Sequence, residues 1–276
     1  MKHMKNILLL LSAAAIAVTL HGRRLSVVRY KVYSSKIKGK IRLALLSDLH
    51  SFNHGHCGKP QEKLTRYIDA AKPDLIMMAG DIADHIIPHA NTKILLRKLQ
   101  NYPMFYVTGN HEYRSGEIRE IKRFFRELGA NVLEGEARKV SVGDNKINVC
   151  GVDDAIIGMK RLKEQLRQCY RQTDKRLFTI LLTHRPEKIA LYNKLKFDLI
   201  LTGHCHGGQV RIPRITNGIY AINQGFNPKY VGGFYNIGER GSRNMVVSRG
   251  LSKSTRGVPR VFNRPELVFI DVCGEM

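Results

Sequence analysis

Ile41-Arg42-Leu43-Ala44-Leu45-Leu46-Ser47-Asp48-Leu49-His50 runs from an apolar stretch directly into two metal-binding side chains. The part from Ile41 to Leu46 has the length and character of a buried strand, so Asp48 and His50 fall just past its carboxyl end. The same construction recurs four times. Asp74 to Ala79 leads to Gly80-Asp81, and Met104 to Val107 leads to Gly109-Asn110-His111-Glu112. Phe178 to Leu182 leads to Thr183-His184, and Asp198 to Leu201 leads to Gly203-His204-Cys205-His206. Glycine or a small residue at these ends lets the backbone turn sharply and lie close to an ion. Carboxyl ends of strands in α/β sheets converge on one crevice, so the five segments are expected to meet there. Carboxylate offsets the charge of adjacent divalent cations, while imidazole selects transition metals over magnesium or calcium. The mixture predicts a site for two cations.

Taken in order from about Ile41 almost to the C-terminus, these motifs resemble the calcineurin-like metallophosphoesterase superfamily. Within it, the membrane-associated bacterial branch is matched by Leu201-Thr202-Gly203-His204-Cys205-His206-Gly207-Gly208-Gln209-Val210. A late stretch, Val247-Ser248-Arg249-Gly250-Leu251 followed by Asn263-Arg264-Pro265-Glu266, extends that match. The resemblance implies that Asp48, His50 and His206 hold one metal, that Asn110, His184 and His204 hold the other, and that Asp81 bridges them. Manganese, iron, zinc or cobalt would suit such nitrogen and oxygen donors. A hydroxide between two such cations would be the nucleophile for in-line attack on a phosphoester. Asn110 would add a ligand oxygen without adding charge.

By the same resemblance His111 acts as general acid or charge stabiliser, and Asp84 orients it and raises its pKa. Asp84 would equally cap a helix beginning near His85. Arg249, through the late motif, and His54, just past the first ligands, are candidates to touch substrate. Asp153 and Asp154 read as a loop or helix cap. Cys205 stands where the family commonly has threonine; alternation along an extended segment points it away from the metals, and pointing toward them it would compete for zinc. His204 and His206 alternate too, so the segment must bend for both to face the metals, which Gly203, Gly207 and Gly208 permit.

A chain of 276 residues with 43% hydrophobic composition can bury one large core. The expected organisation is an appendage and connector over 1–40 and one α/β domain over 41–276. Helices are expected over 60–72, 92–101, 115–128, 159–173 and 186–194, with later strands over 219–222, 244–248 and 266–272. In 115–128, Ile118, Ile121, Phe124, Phe125 and Leu128 recur at helical spacing. Sheets covered by helices follow from this order, and the resemblance sharpens it to a two-sheet β-sandwich flanked by helices. Residues 207–216 and 238–258 read as loops around the cleft, where substrate choice should live. The five scattered cysteines suggest no disulfide framework.

An apolar run of fourteen residues, Ile7 to Leu20, lies between Lys2, Lys5 and His21-Gly22-Arg23-Arg24. It is short of the roughly 20 residues of a span, so it reads as a signal segment, a thin anchor or an interfacial helix. Ten of the 46 basic residues precede position 43, and no acidic residue precedes Asp48. Together they lead one to expect membrane association with an anionic surface, on either face: the positive-inside rule favours a cytoplasmic domain, while the resembled branch includes exported members.

The expected function is metal-dependent hydrolysis of a phosphodiester, pyrophosphate or lipid-linked phosphate; the branch is linked to enzymes that cleave the pyrophosphate of UDP-diacylglucosamine. A nuclease comes second, because a net charge of +23 attracts nucleic acid, although the chain has no Trp for a stacking platform. A phosphoprotein phosphatase is disfavoured, since that group carries arginine where His85 stands. A non-catalytic scaffold of the same fold would not need seven metal-binding side chains. No protein partner is implied.

Overall fold

The computed structural model describes residues 24–212, 215–255 and 258–275. Its strands are β1 (Ser26–Tyr33), β2 (Lys40–Leu46), β3 (Leu75–Ala79), β4 (Met104–Val107), β5 (Ala130–Val132), β6 (Glu136–Val142), β7 (Asn145–Gly151), β8 (Phe178–Leu182) and β9 (Leu199–Thr202). After them come the short pair β10 (Tyr220–Ala221) and β11 (Gly225–Phe226), then β12 (Gly233–Ile237), β13 (Arg243–Val247), β14 (Ser254–Thr255), β15 (Val258–Pro259) and β16 (Glu266–Cys273). Two six-stranded sheets result, ordered β1-β16-β2-β3-β4-β5 and β12-β13-β9-β8-β7-β6. Both are mixed: β2 to β5 are parallel and β16 is antiparallel to β2, while β7, β8, β9 and β13 are parallel with antiparallel β6 and β12 at the edges.

The inner strands β3, β4, β8 and β9 are nearly unbroken apolar runs because both of their faces are buried. Leu43 and Leu45 of β2 enter the core between the sheets with Met77, Phe105, Ile180, Leu182 and Leu201. Ala44 and Leu46 point the other way, into a core closed by helices Glu62–Ala71, Ala90–Lys98 and Ile118–Glu127. On the far side of the second sheet, Cys150, Leu181 and Ile200 pack with Leu162 and Leu166 of helix Met159–Arg171. The α/β architecture is therefore two mixed sheets flanked by helices. Parallel neighbours need long crossovers, and these helices supply them. All five ligand-bearing strands accordingly deliver their carboxyl ends to one edge of the sandwich.

Several expected boundaries move for identifiable reasons. The helix expected over 115–128 is Ile118–Glu127: it starts only after Gly116, whose φ of 78° a helix cannot hold, and a separate short helix, Asn110–Arg114, precedes it. The 186–194 stretch begins as a 3-10 turn, Pro186–Lys188, and continues as helix only over Ile189–Tyr192. The strand expected over 219–222 shrinks to β10. β1 pairs in parallel with β16 and forms an edge of the first sheet.

Membrane association is corrected. Among the described residues no helix is long and apolar enough to cross a membrane. The run Ile7 to Leu20, on which a signal or anchor was expected, lies outside the described residues.

Leu45 lies fully buried between the sheets. Leu45→Ala is expected to lower the unfolding free energy by about 2–5 kcal/mol, read from urea denaturation; a loss below about 0.5 kcal/mol would contradict this packing.

Candidate metal centre

The turns that follow the strands are strained where the ligands sit. Asp48, His50, Asp81, His204 and His206 have φ of 51°, 49°, 53°, 74° and 47°, the left-handed region that non-glycine residues avoid. Each such residue costs about 1–3 kcal/mol and persists only where its surroundings leave no alternative. Here they are laced together. The Asp48 N–H donates to Gly80 O at 3.0 Å and the His50 N–H to Asp81 O at 2.9 Å. The His204 N–H donates to the Asp48 carboxylate at 3.0 Å, and the His111 N–H to Asp81 Oδ1 at 2.8 Å. Two glycines let these segments close up: a Cβ on Gly109 would lie 2.2 Å from Asp81 Oδ1, and one on Gly203 would lie 1.6 Å from Ser47 Oγ.

This lacing produces two neighbouring groups of donors. Asp48, His50 and His206 place donor atoms within 4.8 Å of one another, and so do Asp81, His184 and His204. Asp81 stands between them, its Oδ2 3.2 Å from His184 Nε2 and 3.8 Å from His50 Nε2. Across each group two imidazole nitrogens face one another at 3.2 Å: His50 Nε2 with His206 Nε2, and His184 Nε2 with His204 Nδ1. Asp48 Oδ1 is 3.4 Å from His206 Nε2.

The donor chemistry fits divalent cations. His184 donates from Nδ1 to Ala79 O at 2.7 Å, and His50 donates from Nδ1 to Asp84 Oδ2 at 3.0 Å, so each turns Nε2 to the centre, where its lone pair would serve a cation once any proton there has left. A backbone carbonyl or carboxylate behind a ligating imidazole is the usual outer support of a metal site. Asn110 Oδ1 is buried with no hydrogen-bond partner, an orphan that a cation would satisfy. The chain thus carries a dinuclear-metal hydrolase active site that takes two divalent cations.

Charge explains the protonation pattern. Burial would raise the Asp81 carboxyl, but His184, with His50 and His111, holds it well below the ordinary range. Burial would lower His184, yet Asp81 pushes it up to about 10. Burial, then neighbouring cationic groups, holds His204 and His206 well below the usual imidazole value. Asp48 is raised, chiefly by burial.

His111 borders the centre, its ring centroid 4.2 Å from that of His50. Its Nδ1 donates to Asp84 Oδ2 at 3.0 Å, and His85 Nδ1 lies 2.9 Å away. Asp84 Oδ1 accepts from the N–H groups of Ile86 and Ile87 at 2.8 and 3.1 Å, closing a turn; the helix expected to begin near His85 starts only at Ala90. Despite burial, the hydrogen bonds from His111 and His50 keep the Asp84 carboxyl far below its ordinary range.

Arg249 and His54 have other partners. Arg249 NH1 pairs with Glu266 at 3.5 Å, and His54 donates from Nε2 to Leu251 O at 2.6 Å, with burial pushing its pKa down to about 4. Asp154 caps the turn Ala155–Ile157 and pairs with Arg185, while Asp153 accepts from Thr108 at 2.8 Å. Cys205 packs with Ala221 and Val231 and receives the Gln224 amide. The bend between His204 and His206 lies in the histidines themselves as well as in Gly207 and Gly208.

Sequence reading missed three contributors. The buried Glu112 carboxylate accepts from the N–H groups of Gly109, Asp81, Ile82 and Ala83 at 2.9, 3.1, 2.8 and 3.1 Å, clamping the Asp81 turn to the Asn110 turn. Its place beside His111 was the available signal. Arg260, fully buried, donates to His206 O at 3.2 Å, and the Asn223 amide lies 3.1 Å from His204 Nε2; neither has a local sequence signal.

The family model described as calcineurin-like phosphoesterase matches residues 41–208. The metallophosphoesterase YkuE of Bacillus subtilis is 33% identical over 208 residues, covering 72% of this chain and 68% of that one. A metallophosphoesterase of Campylobacter jejuni is 29% identical over 252 residues, covering 87% of this chain; the chain spans only 61% of that relative's length. The solved structure of a Haemophilus influenzae NAD nucleotidase superposes with a TM-score of 0.50 at 15% identity over 78% of this chain and 46% of that one, a likeness of fold. These matches single out no branch of the family.

His184 retains its proton up to about pH 10 in the metal-free chain, whereas His204, His206 and Asp81 are already deprotonated at pH 7. A cation at His184 must displace that proton, so affinity should rise about tenfold per pH unit between pH 6 and 9. Calorimetry in buffers of different ionisation enthalpy should show about one proton released on metal binding. Uptake without proton release would contradict the assignment of His184.

Proposed function

From the premise that the chain belongs to the calcineurin-like phosphoesterase family, we propose that it hydrolyses a phosphodiester or a disubstituted pyrophosphate. The observation that carries this reading is the shared position of Asp81 between two donor groups, with the His111–Asp84 pair at their border. Two divalent cations held there would lower the pKa of an attacking water and offset charge on the phosphoryl oxygens.

The side chains divide the remaining work. Asp48, His50 and His206 would hold one cation, and Asn110, His184 and His204 the other, with Asp81 placed to serve both. His111, fixed at Nδ1 by Asp84, keeps its other nitrogen for the oxygen that leaves, which needs a proton as the ester bond breaks. The support for a diester is electrostatic. Among the described residues, three arginines near the ligand segments have internal partners: Arg185 with Asp154 at 2.8 Å, Arg249 with Glu266 at 3.5 Å and Arg260 with His206 O at 3.2 Å. A dianionic monoester calls for a guanidinium fork on its extra charge, whereas the phosphorus of a diester carries one negative charge. Among the described residues, none at the site favours the diacylglucosamine pyrophosphate suggested by the branch resemblance.

With manganese, bis(4-nitrophenyl) phosphate should be turned over faster than 4-nitrophenyl phosphate, and chelator should abolish both. Asp81→Asn should lose metal and activity together. His111→Asn should keep both metals while kcat falls by about 10²–10⁴-fold. Full activity in a folded, metal-poor Asp81→Asn protein would overturn the reading.

A further inference from the structure

A third group of donors lies outside the two that meet at Asp81. Ring nitrogens of His85 and His111 and a carboxylate oxygen of Asp84 all fall within 4.8 Å of one another. His85 Nδ1 stands 2.9 Å from His111 Nδ1 and 3.8 Å from Asp84 Oδ1, and His111 Nδ1 stands 3.0 Å from Asp84 Oδ2. Asp84 and His111 are buried, whereas the His85 side chain is 22% exposed. Over the group opens a cavity of about 310 Å³, lined by Asp84, His85, His89, Ser115 and Glu117 among others. Among the described residues that line it, none is read as a ligand of the dinuclear centre. An ion from solvent therefore reaches the group by a route of its own, and Asp84 and Glu117 give that route negative charge in a chain whose net charge is +23.

Two imidazoles and one carboxylate, with water in the fourth place, make the ligand set of an open tetrahedral zinc site. Zinc at about 2.0–2.1 Å from each ligand holds neighbouring donors roughly 3.4 Å apart, so the spacings here need shifts of about half an ångström. His85 can supply them, since it lies in the irregular stretch between β3 and helix Ala90–Lys98. The Asp84 carboxylate decides what such an ion would do. Its acceptor positions are filled: Oδ1 by the N–H groups of Ile86 and Ile87, Oδ2 by His50 and His111. A cation bound to both His111 Nδ1 and Asp84 takes the place of the His111 N–H. The ion and the hydrogen bond that fixes His111 therefore exclude each other.

We propose that His85, His111 and Asp84 form a third cation site, selective for zinc, whose occupation switches hydrolysis off. The inference rests on the phosphodiester reading, in which His111 serves the leaving oxygen. A cation on Nδ1 draws the His111 ring off Asp84, and with it the alignment that lets the other nitrogen meet that oxygen. Zinc stands well above manganese in affinity for nitrogen-rich sites, and manganese calls for six ligands rich in oxygen. The third site therefore tells the two metals apart, whereas the donors around Asp81 suit either.

The test is a zinc titration of the full chain already carrying two equivalents of zinc, followed by calorimetry and by turnover of bis(4-nitrophenyl) phosphate. A third equivalent is expected to bind, and kcat to fall by about 10²-fold as it does. Manganese added to the manganese-loaded chain should do neither. His85→Phe keeps an aromatic ring against His111 and removes the donor, so it should stop at two equivalents and hold its two-zinc turnover at every higher zinc concentration. Crystals of the unaltered chain soaked in excess zinc give a readout independent of how the variant folds: anomalous scattering should place a third ion on His85 and His111. No third equivalent, or a third equivalent with the same inhibition in folded His85→Phe, would overturn the proposal. A third ion at His85 in a chain that turns over nothing with either metal removes the phosphodiester reading alone. Turnover that excess zinc leaves untouched removes the third site alone.

Discussion

Two carboxylates withdrawn from water, Asp48 and Asp81, set the terms for the rest of this molecule. Buried like charges a few ångströms apart are tolerable only with opposite charge beside them. In the metal-free chain His184 answers part of that demand by holding its proton against Asp81. Divalent cations answer it more fully, which is why lone pairs, an orphaned Asn110 oxygen and imidazoles supported from behind all converge there. Left-handed φ at five of the ligands is the conformational counterpart of the same demand. Strain of that kind survives because Glu112 and the exchanged backbone hydrogen bonds leave the turns no relaxed alternative.

The sandwich makes this concentration of charge affordable. Each sheet is buried on its inner face against the other and on its outer face against helices, so the strands form a rigid frame that the turns inherit. Parallel order puts the ends of β2, β3 and β4 from one sheet beside those of β8 and β9 from the other. The segment after β9 then supplies His204 and His206 to the centre.

What the sequence made legible follows from this division. Strands buried on both faces announce themselves as unbroken apolar runs, and a ligand placed just past such a run needs only the strand's direction to be located. Asp48, Asp81, His184 and His204 were readable for that reason. Features created by distant partners were not. β1 pairs with β16 from the opposite end of the chain, and nothing within Ser26–Tyr33 specifies that neighbour. Arg260 reaches His206 only through tertiary packing, and Arg249, attractive as a phosphate ligand, is taken by Glu266. Gly116 shows a local signal underweighted: the helix expected from position 115 begins only beyond it, at Ile118. The apolar run near the N-terminus suggested a membrane, but no described helix spans one.

The most direct test is a crystal structure of the manganese-soaked chain, with ions located by anomalous scattering. Two ions are predicted, roughly 3.5–4 Å apart, with Asp81 bound to both, His50 and His206 on one and His184 and His204 on the other. A single ion, or two ions with no carboxylate between them, would contradict the account.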